Sequence, residues 1–373
     1  MCNNMIRIRF FRKGLDEEDG VGGSSERVFH QSSVDWLLEE SNPSVRYFTM
    51  LNILDKDRHA PEVIAARDAI PQARTVRRIL ENQHRGGYWE KPDSPYLPKY
   101  KSSYWTIMIL GQLGMDKTNE KVAAACEFIF QFQQNEGGFP SEGIRSASRE
   151  YEHQRQKRRG LPPRKEFWSS LILESQLSCL TGNMTAALIR IGYEKDTRVK
   201  KALEWIARVQ NRDGGWLCPY WKAHVRDKHG CFMGTICALE ALSEVPKQNL
   251  TKELKETVSR GAEFLLMHRL FKADHHDFRT INQAWLQLSF PYFSGYSFLR
   301  GLDVLTKLGY ARDERLSDGV EVLLQKRQSD GTWILENSPQ GRMQTSIEPK
   351  GKPSKWITLI ALTVLRRLGI SAS

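Results

Sequence analysis

Apolar positions along the chain recur at helical rather than alternating spacing, and they fall into two kinds of segment. One kind is rich in small, apolar and aromatic residues, as in Ser103-YWTIMILGQL and Ser297-FLRGLDVLTKL. The other is amphipathic, as in Val199-KKALEWIARVQ, with a polar side left for solvent. The first predicts a helix buried all round, and the second a helix packed over it. Leu113-Gly114-Met115, Ile191-Gly192-Tyr193 and Leu308-Gly309-Tyr310 separate an apolar segment from the amphipathic one that follows, where glycine ends one helix and a short turn starts the next. Strand signals are absent, so each unit reads as a helical hairpin.

The loops that close the amphipathic helices repeat as well. A polar residue stands six positions before an aromatic, with glycine between, in Gln83-HRGGY-Trp89, Gln133-QNEGG-Phe139, Gln210-NRDGG-Trp216 and the degenerate Arg327-QSDGT-Trp333. The intervals fit a period of about 50 to 60 residues, with a further degenerate copy near Phe271. Six buried helices are expected to begin near Pro43, Ser102, Cys179, Cys231, Pro291 and Pro353. Six inner helices sheathed by six outer ones close economically into an all-α (α/α)6 toroid, with an open superhelix of the same hairpins as the alternative. The expected organisation is an N-terminal extension over residues 1–30, a single toroid over 31–373, and a basic insertion near 144–167, whose charged stretch Arg155–Lys165 between helical patterns is read as a solvated loop.

These repeats resemble those of the α/α-toroid superfamily, which includes squalene and hopene cyclases and the β subunits of protein prenyltransferases. Cys179-LTGN, Asp213-GGWLC and Gly351-KPSKWITL are similar to segments of the short repeat proteins named after prenyltransferases and squalene oxidase. The resemblance covers the chain from about Pro43 to Gly369. It implies that the Gln/Gly/aromatic loops are structural staples: Gln83, Trp89, Gln133, Phe139, Gln210, Trp216, Arg327 and Trp333 are assigned to the scaffold.

Composition narrows the chemistry. The chain of 373 residues is 40% hydrophobic and 27% charged, and no apolar run approaches the roughly 18 residues of a membrane span. The basic opening MCNNMIRIRFFRKG lacks the apolar stretch of a secretory signal, so a cytoplasmic protein is expected. Six cysteines in so long a chain do not form a disulfide framework. A net charge of +11 favours an anionic partner, yet no nucleic-acid recognition motif accompanies it, so nucleic acid is the weakest reading.

Chain connectivity places Cys179, Cys218, His229 and Cys231 near the starts of two neighbouring inner helices, a donor set suited to zinc. The alternative is that the cysteines are core and His229 is a helix-terminal residue. By resemblance to the prenyltransferase Asp-Gly-Cys-Tyr segment, His229 and Cys231 would be ligands. This chain departs from that pattern with histidine for aspartate and a longer loop.

Lys222, His224, Arg226 and Lys228 precede these residues and would clamp an anionic group, joined by Lys99, Lys101 and the Lys350–Lys355 stretch as one positive rim. Tyr47, Trp105, Phe232, Tyr292, Tyr296 and Trp356 are candidates to line an apolar cavity for an isoprenoid. No Asp-x-Asp-Asp motif for proton-initiated cyclisation is present, nor an aspartate cluster for magnesium-assisted ionisation. Two readings stand beside each other: a prenyltransferase- or cyclase-like enzyme with zinc at the mouth, and a non-catalytic scaffold with structural zinc that binds a ligand or partner protein.

Overall fold

A computed structural model describes residues 31–220 and 227–370. Its helices in chain order are α1 (Gln31–Leu37), α2 (Pro43–Asn52), α3 (Pro61–Ala69), α4 (Arg74–Glu81), α5 (Ser103–Gln112), α6 (Glu120–Phe130), α7 (Ile144–Lys157), α8 (Arg164–Glu174) and α9 (Ser178–Leu188). They continue as α10 (Thr197–Arg208), α11 (Phe232–Glu244), α12 (Lys252–Met267), α13 (Phe298–Leu308), α14 (Ser317–Gln325) and α15 (Lys355–Arg367). Only isolated bridges, and no strands, occur among the described residues.

α2, α5, α9, α11, α13 and α15 run parallel as an inner ring, and the outer layer is formed by α1, the α3–α4 pair, α6, α10, α12 and α14. Neighbouring inner helices pack from α5 round to α15, and α15 packs on α2, so five of the six junctions of the ring are made by direct helix packing. α2 and α5 stand further apart, bridged where the Phe48 ring reaches Gly114. The pattern of apolar positions explains the layers. In α5 every residue from Ser103 to Gly111 is buried, whereas α10 buries only Val199, Ala202, Leu203, Trp205 and Ile206 along one face. The fold is thus an α/α-toroid, as the hairpin repeats predict.

The Gln/Gly/aromatic loops are staples of up to three bonds, with all three made by the Gln83 and Gln210 copies. The indoles of Trp89, Trp216 and Trp333 donate to the carbonyls of Ile79, Ile206 and Leu323 at 2.7–2.8 Å, at the end of the preceding outer helix. The amides of Gln133 and Gln210 donate to Arg198 O and Thr257 O on the next outer helix, both at 2.9 Å. The backbone N–H of each aromatic donates to a hydroxyl in the first turn of the next inner helix: Trp89 to Ser103, Phe139 to Thr181, Trp216 to Thr235 and Trp333 to Thr358, at 2.9–3.1 Å. That hydroxyl is a fourth repeat element which the sequence reading did not pick out. Glycine is required because the loop lies against the next outer helix. Gly137 and Gly214 have φ of +109° and +91°, and a Cβ on either would fall within 2.3 Å of a carbonyl oxygen on α10 or α12. Near Phe271 the staple is replaced by the Tyr296 hydroxyl, which donates to Leu270 O at 2.6 Å.

The basic insertion is a helical hairpin of α7 and α8, and the loop between them, residues 158–163, is narrower than the expected Arg155–Lys165. One expectation is corrected. The fifth inner helix starts at Phe298 rather than near Pro291, because the Ser297 side chain caps it by accepting from Arg300 N–H. Residues 287–297 are left non-helical and enter the lumen.

Replacing Trp216 with Phe removes one staple bond and strands the Ile206 carbonyl. The expected loss is about 1–3 kcal/mol of stability, read as a lower urea midpoint with unchanged helical circular dichroism.

Candidate functional site

Residues 287–297 plug the ring. Gln112 at the end of α5 holds this segment by its main chain: its amide donates to Tyr292 O and accepts from Tyr292 N–H, each at 2.8 Å. Phe293 packs on Trp105 and Tyr100 with centroids 5.5 and 5.0 Å apart, and Phe290 stacks on Trp356 at 4.5 Å. The N-terminal half of the lumen is therefore filled. Beyond the plug, at the end where the inner helices finish, a cup of about 540 Å³ remains open beside the gap between α2 and α5. One wall is aromatic, made by Tyr47, Phe48, Phe290, Tyr292 and Trp356. The other is ionic, with Arg190, Glu244, Asp303, Lys307 and Arg367, while Arg58 and Arg67 are exposed residues of its lining.

The ionic wall continues into the core as a chain of paired charges. Lys307 donates to Glu244 at 2.6 Å, and Arg190 bonds both Glu244 and Glu240. Arg300, only 1% exposed, bonds Glu240, Asn183 Oδ1 at 2.8 Å and the plug carbonyls of Phe293 and Gly295. Burial alone would raise the carboxyl pKa values. For Glu244 the cations Arg190 and Lys307 outweigh burial and hold it at about 2, and for Glu240 Arg300 and Arg190 lower it likewise. Asp303 is paired with Arg367 at 2.8 Å. Every cation of the inner wall is thus matched to a carboxylate.

The predicted site residues divide between the two ends of the ring. Tyr47, Tyr292 and Trp356 line the cup. Trp105, Phe232 and Tyr296 do not: Trp105 lies beyond the plug with its indole on Tyr96 O at 2.6 Å, and Phe232 packs among Phe264, Trp285 and Tyr296. The mouth at the N-terminal end carries the cysteines. Cys179 and Cys218 are hydrogen-bonded to each other, and that bond, with burial second, pushes the Cys179 thiol up. Cys218 is lowered by the same bond, helped by the Ser178 and Cys179 amides at the start of α9.

Cys231 is near enough for its charge to act on Cys179. His229 is not brought to the thiols. Asp213 accepts from Gly230 N–H at 2.6 Å and turns this segment outward, leaving the imidazole 81% exposed and 3.9 Å from Asp213. No three His, Cys, Asp or Glu side chains among the described residues converge as a metal site. Lys222, His224 and Arg226 lie outside the described residues, and Lys228 is exposed with its carbonyl accepting from Asn211 at 3.2 Å. Lys355 does not join a positive rim, since it is mostly buried and paired with Glu39 at 2.7 Å.

The inner ring of hairpins, stapled by Gln/Gly/aromatic loops, is an α/α-toroid. No protein-family profile matches the chain. Lanosterol synthase erg7A of Aspergillus fumigatus is 24% identical over 242 residues, 58% of this chain and 28% of the synthase, so the chain spans far less than the length of that curated relative. Among solved structures, the type II terpene cyclase MstE from Scytonema is 14% identical, with 91% of this chain and 97% of that one covered and a TM-score of 0.44. A protein from Actinoplanes is 14% identical over 92% of this chain and 98% of its own, with a TM-score of 0.42. No helix among the described residues is long and apolar enough to cross a membrane.

Truncating Arg300 to Met leaves Glu240 buried with Arg190 alone, and a loss of about 3–5 kcal/mol is expected in urea denaturation. Glu244 also sets an acid limit. Its folded pKa of about 2 lies below the ordinary 4.5, so its contribution is complete above pH 4.5 and is lost as pH falls toward 2. That contribution is on the order of 3 kcal/mol. Glu244→Gln should flatten the fall in melting temperature across this window.

Proposed function

We propose that this toroid binds a neutral, isoprenoid-like lipid in the cup, as a cyclase- or prenyltransferase-related protein. The observation that carries this reading is the cup itself. Its volume of about 540 Å³ and its wall of five aromatic side chains suit a bulky hydrocarbon, whose burial against rings supplies the affinity. The inner-wall cations Arg190, Lys307 and Arg367 are each satisfied by a carboxylate, so the depth of the cup favours a neutral ligand over a phosphorylated one.

The chemistry open to such a ligand is constrained by the same wall. Protonating an alkene requires a carboxyl held neutral in an apolar setting. Glu244 is held ionised, Asp303 is ion-paired, and Asp116 accepts from Thr118 N–H at 2.8 Å. These pairings favour ligand binding without proton-initiated cyclisation, and a carrier or scaffold role is the second reading on that ground.

The test is titration with geranylgeraniol followed by tryptophan fluorescence and native mass spectrometry. One equivalent is expected to bind, quenching Trp356. Ile360→Trp, which fills the cup from a half-buried position on α15, should weaken binding at least ten-fold at unchanged melting temperature. Unaltered binding in that variant would place the ligand elsewhere.

A further inference from the structure

The basic insertion is used neither by the staples nor by the cup. Among the residues of α7 and α8 only Ala147 is buried. The two helices pack chiefly on each other, with the Tyr151 and Phe167 rings 5.2 Å apart, and Arg145 ties the hairpin to Asp93 in the loop before α5 at 3.6 Å. The hairpin therefore adds almost nothing to the core. It nevertheless carries Ile144 at 61% and Leu173 at 39% exposure, side chains that leave water only when something outside the fold covers them. At its loop Arg155, Lys157, Arg158, Arg159, Arg164 and Lys165 occur without an acidic residue among them. Glu152 pairs with Arg155 and Arg164, while Lys157, Arg158, Arg159 and Lys165 stay exposed and make no ion pair among the described residues.

The same combination recurs round this end of the ring. Because the inner helices are parallel, the connections that lead into α5, α9, α11, α13 and α15 share one end, and their described residues hold 22 lysines and arginines against 15 aspartates and glutamates. The connections that leave α2, α5, α9, α11 and α13 at the opposite end hold 8 against 7. Exposed large apolar side chains are divided in the same way. Leu97, Phe278 and Ile281 lie in the first set of connections and Met233 in the first turn of α11, whereas Leu54 alone, among the described residues, belongs to the opposite end.

We infer that this end of the ring docks on the surface of an anionic lipid bilayer, with the α7–α8 hairpin as its leading contact. A bilayer interface supplies both halves of what the surface presents: anionic headgroups for the unpaired cations, and the acyl boundary for Ile144, Leu173, Leu97, Phe278 and Ile281. A nucleic acid would engage the cations and leave these side chains in water. A protein partner calls for a contiguous apolar patch, whereas here single apolar side chains stand on separate segments round the ring. Attachment is to the surface, since no helix among the described residues can span the bilayer. The contact is independent of what the cup binds, because the cup opens at the other end.

The experiment is flotation of the full chain with vesicles of phosphatidylcholine, alone or with about one-third phosphatidylserine. The chain is expected to float with the anionic vesicles and to be released by added salt. The double variant Arg158→Glu, Arg159→Glu should bind them about ten-fold less tightly at unchanged melting temperature, since both residues are exposed in the loop. Ile144→Asp tests the apolar half. Position 144 opens α7, where an aspartate suits the helix N-terminus, so the fold is kept and binding should weaken about three-fold or more. No flotation of the wild type, equal flotation with both kinds of vesicle, or undiminished binding by the double variant would overturn the inference. Full binding by Ile144→Asp would overturn the apolar contact, and tight binding of mixed-sequence RNA without flotation would assign the cations to nucleic acid instead.

Discussion

The buried Arg300–Glu240 pair is the contact on which the cup depends. Arg300 stands in the first turn of α13, Glu240 is in the body of α11, and the same guanidinium reaches Asn183 on α9 and two carbonyls of the plug. One side chain therefore ties three inner helices to the segment that fills their lumen. Desolvating two charges is expensive, and only complete pairing makes it tolerable. Here the chain of Lys307, Glu244, Arg190, Glu240 and Arg300 supplies it, with each carboxylate shared between two cations. The floor of the cup is consequently rigid and electrically closed.

The ring was legible in the sequence because its determinants are local and repeated. Gln83, Gln133 and Gln210, their glycines and the following aromatics recur in phase, and each copy performs the same bonding between one outer helix and the next. The hydroxyls of Ser103, Thr181, Thr235 and Thr358 escaped notice because serine and threonine are common; Ser103 is the first residue of its helix and each threonine the fourth of its own. Their signal is spacing: one such residue falls in the first turn of each of these stapled inner helices. The fifth inner helix was placed too early because Pro291, Tyr292 and Phe293 have the composition of a buried helix. What decides their conformation is Ser297 as a cap and Gln112 as a partner, the latter from a helix 180 residues away in the chain.

The site was less legible, and for a physical reason. Adjacent inner-helix starts do bring Cys179 and Cys218 together, as connectivity predicts, and the Ser178 hydroxyl bonds Leu217 O to fix that approach. Connectivity does not say which way a residue points, and Asp213 turns the His229 segment toward solvent. Nor does it say which end of a ring stays open. That depends on the plug, whose long-range contacts leave no periodic trace. Arg300 and Glu240 did have a trace, as charges flanked on both sides by apolar residues of an inner helix, where an unmatched charge would be intolerable and a partner is therefore implied.

The grip of Gln112 on Tyr292 has a further consequence. An amide side chain that donates to one carbonyl and accepts from the same residue's N–H acts as a borrowed strand edge, and it recognises backbone alone. The plug can thus exchange side chains at its centre without losing its seat in the ring. Side-chain identity and seat are uncoupled at this position, since a change at residue 292 leaves both main-chain bonds to Gln112 in place.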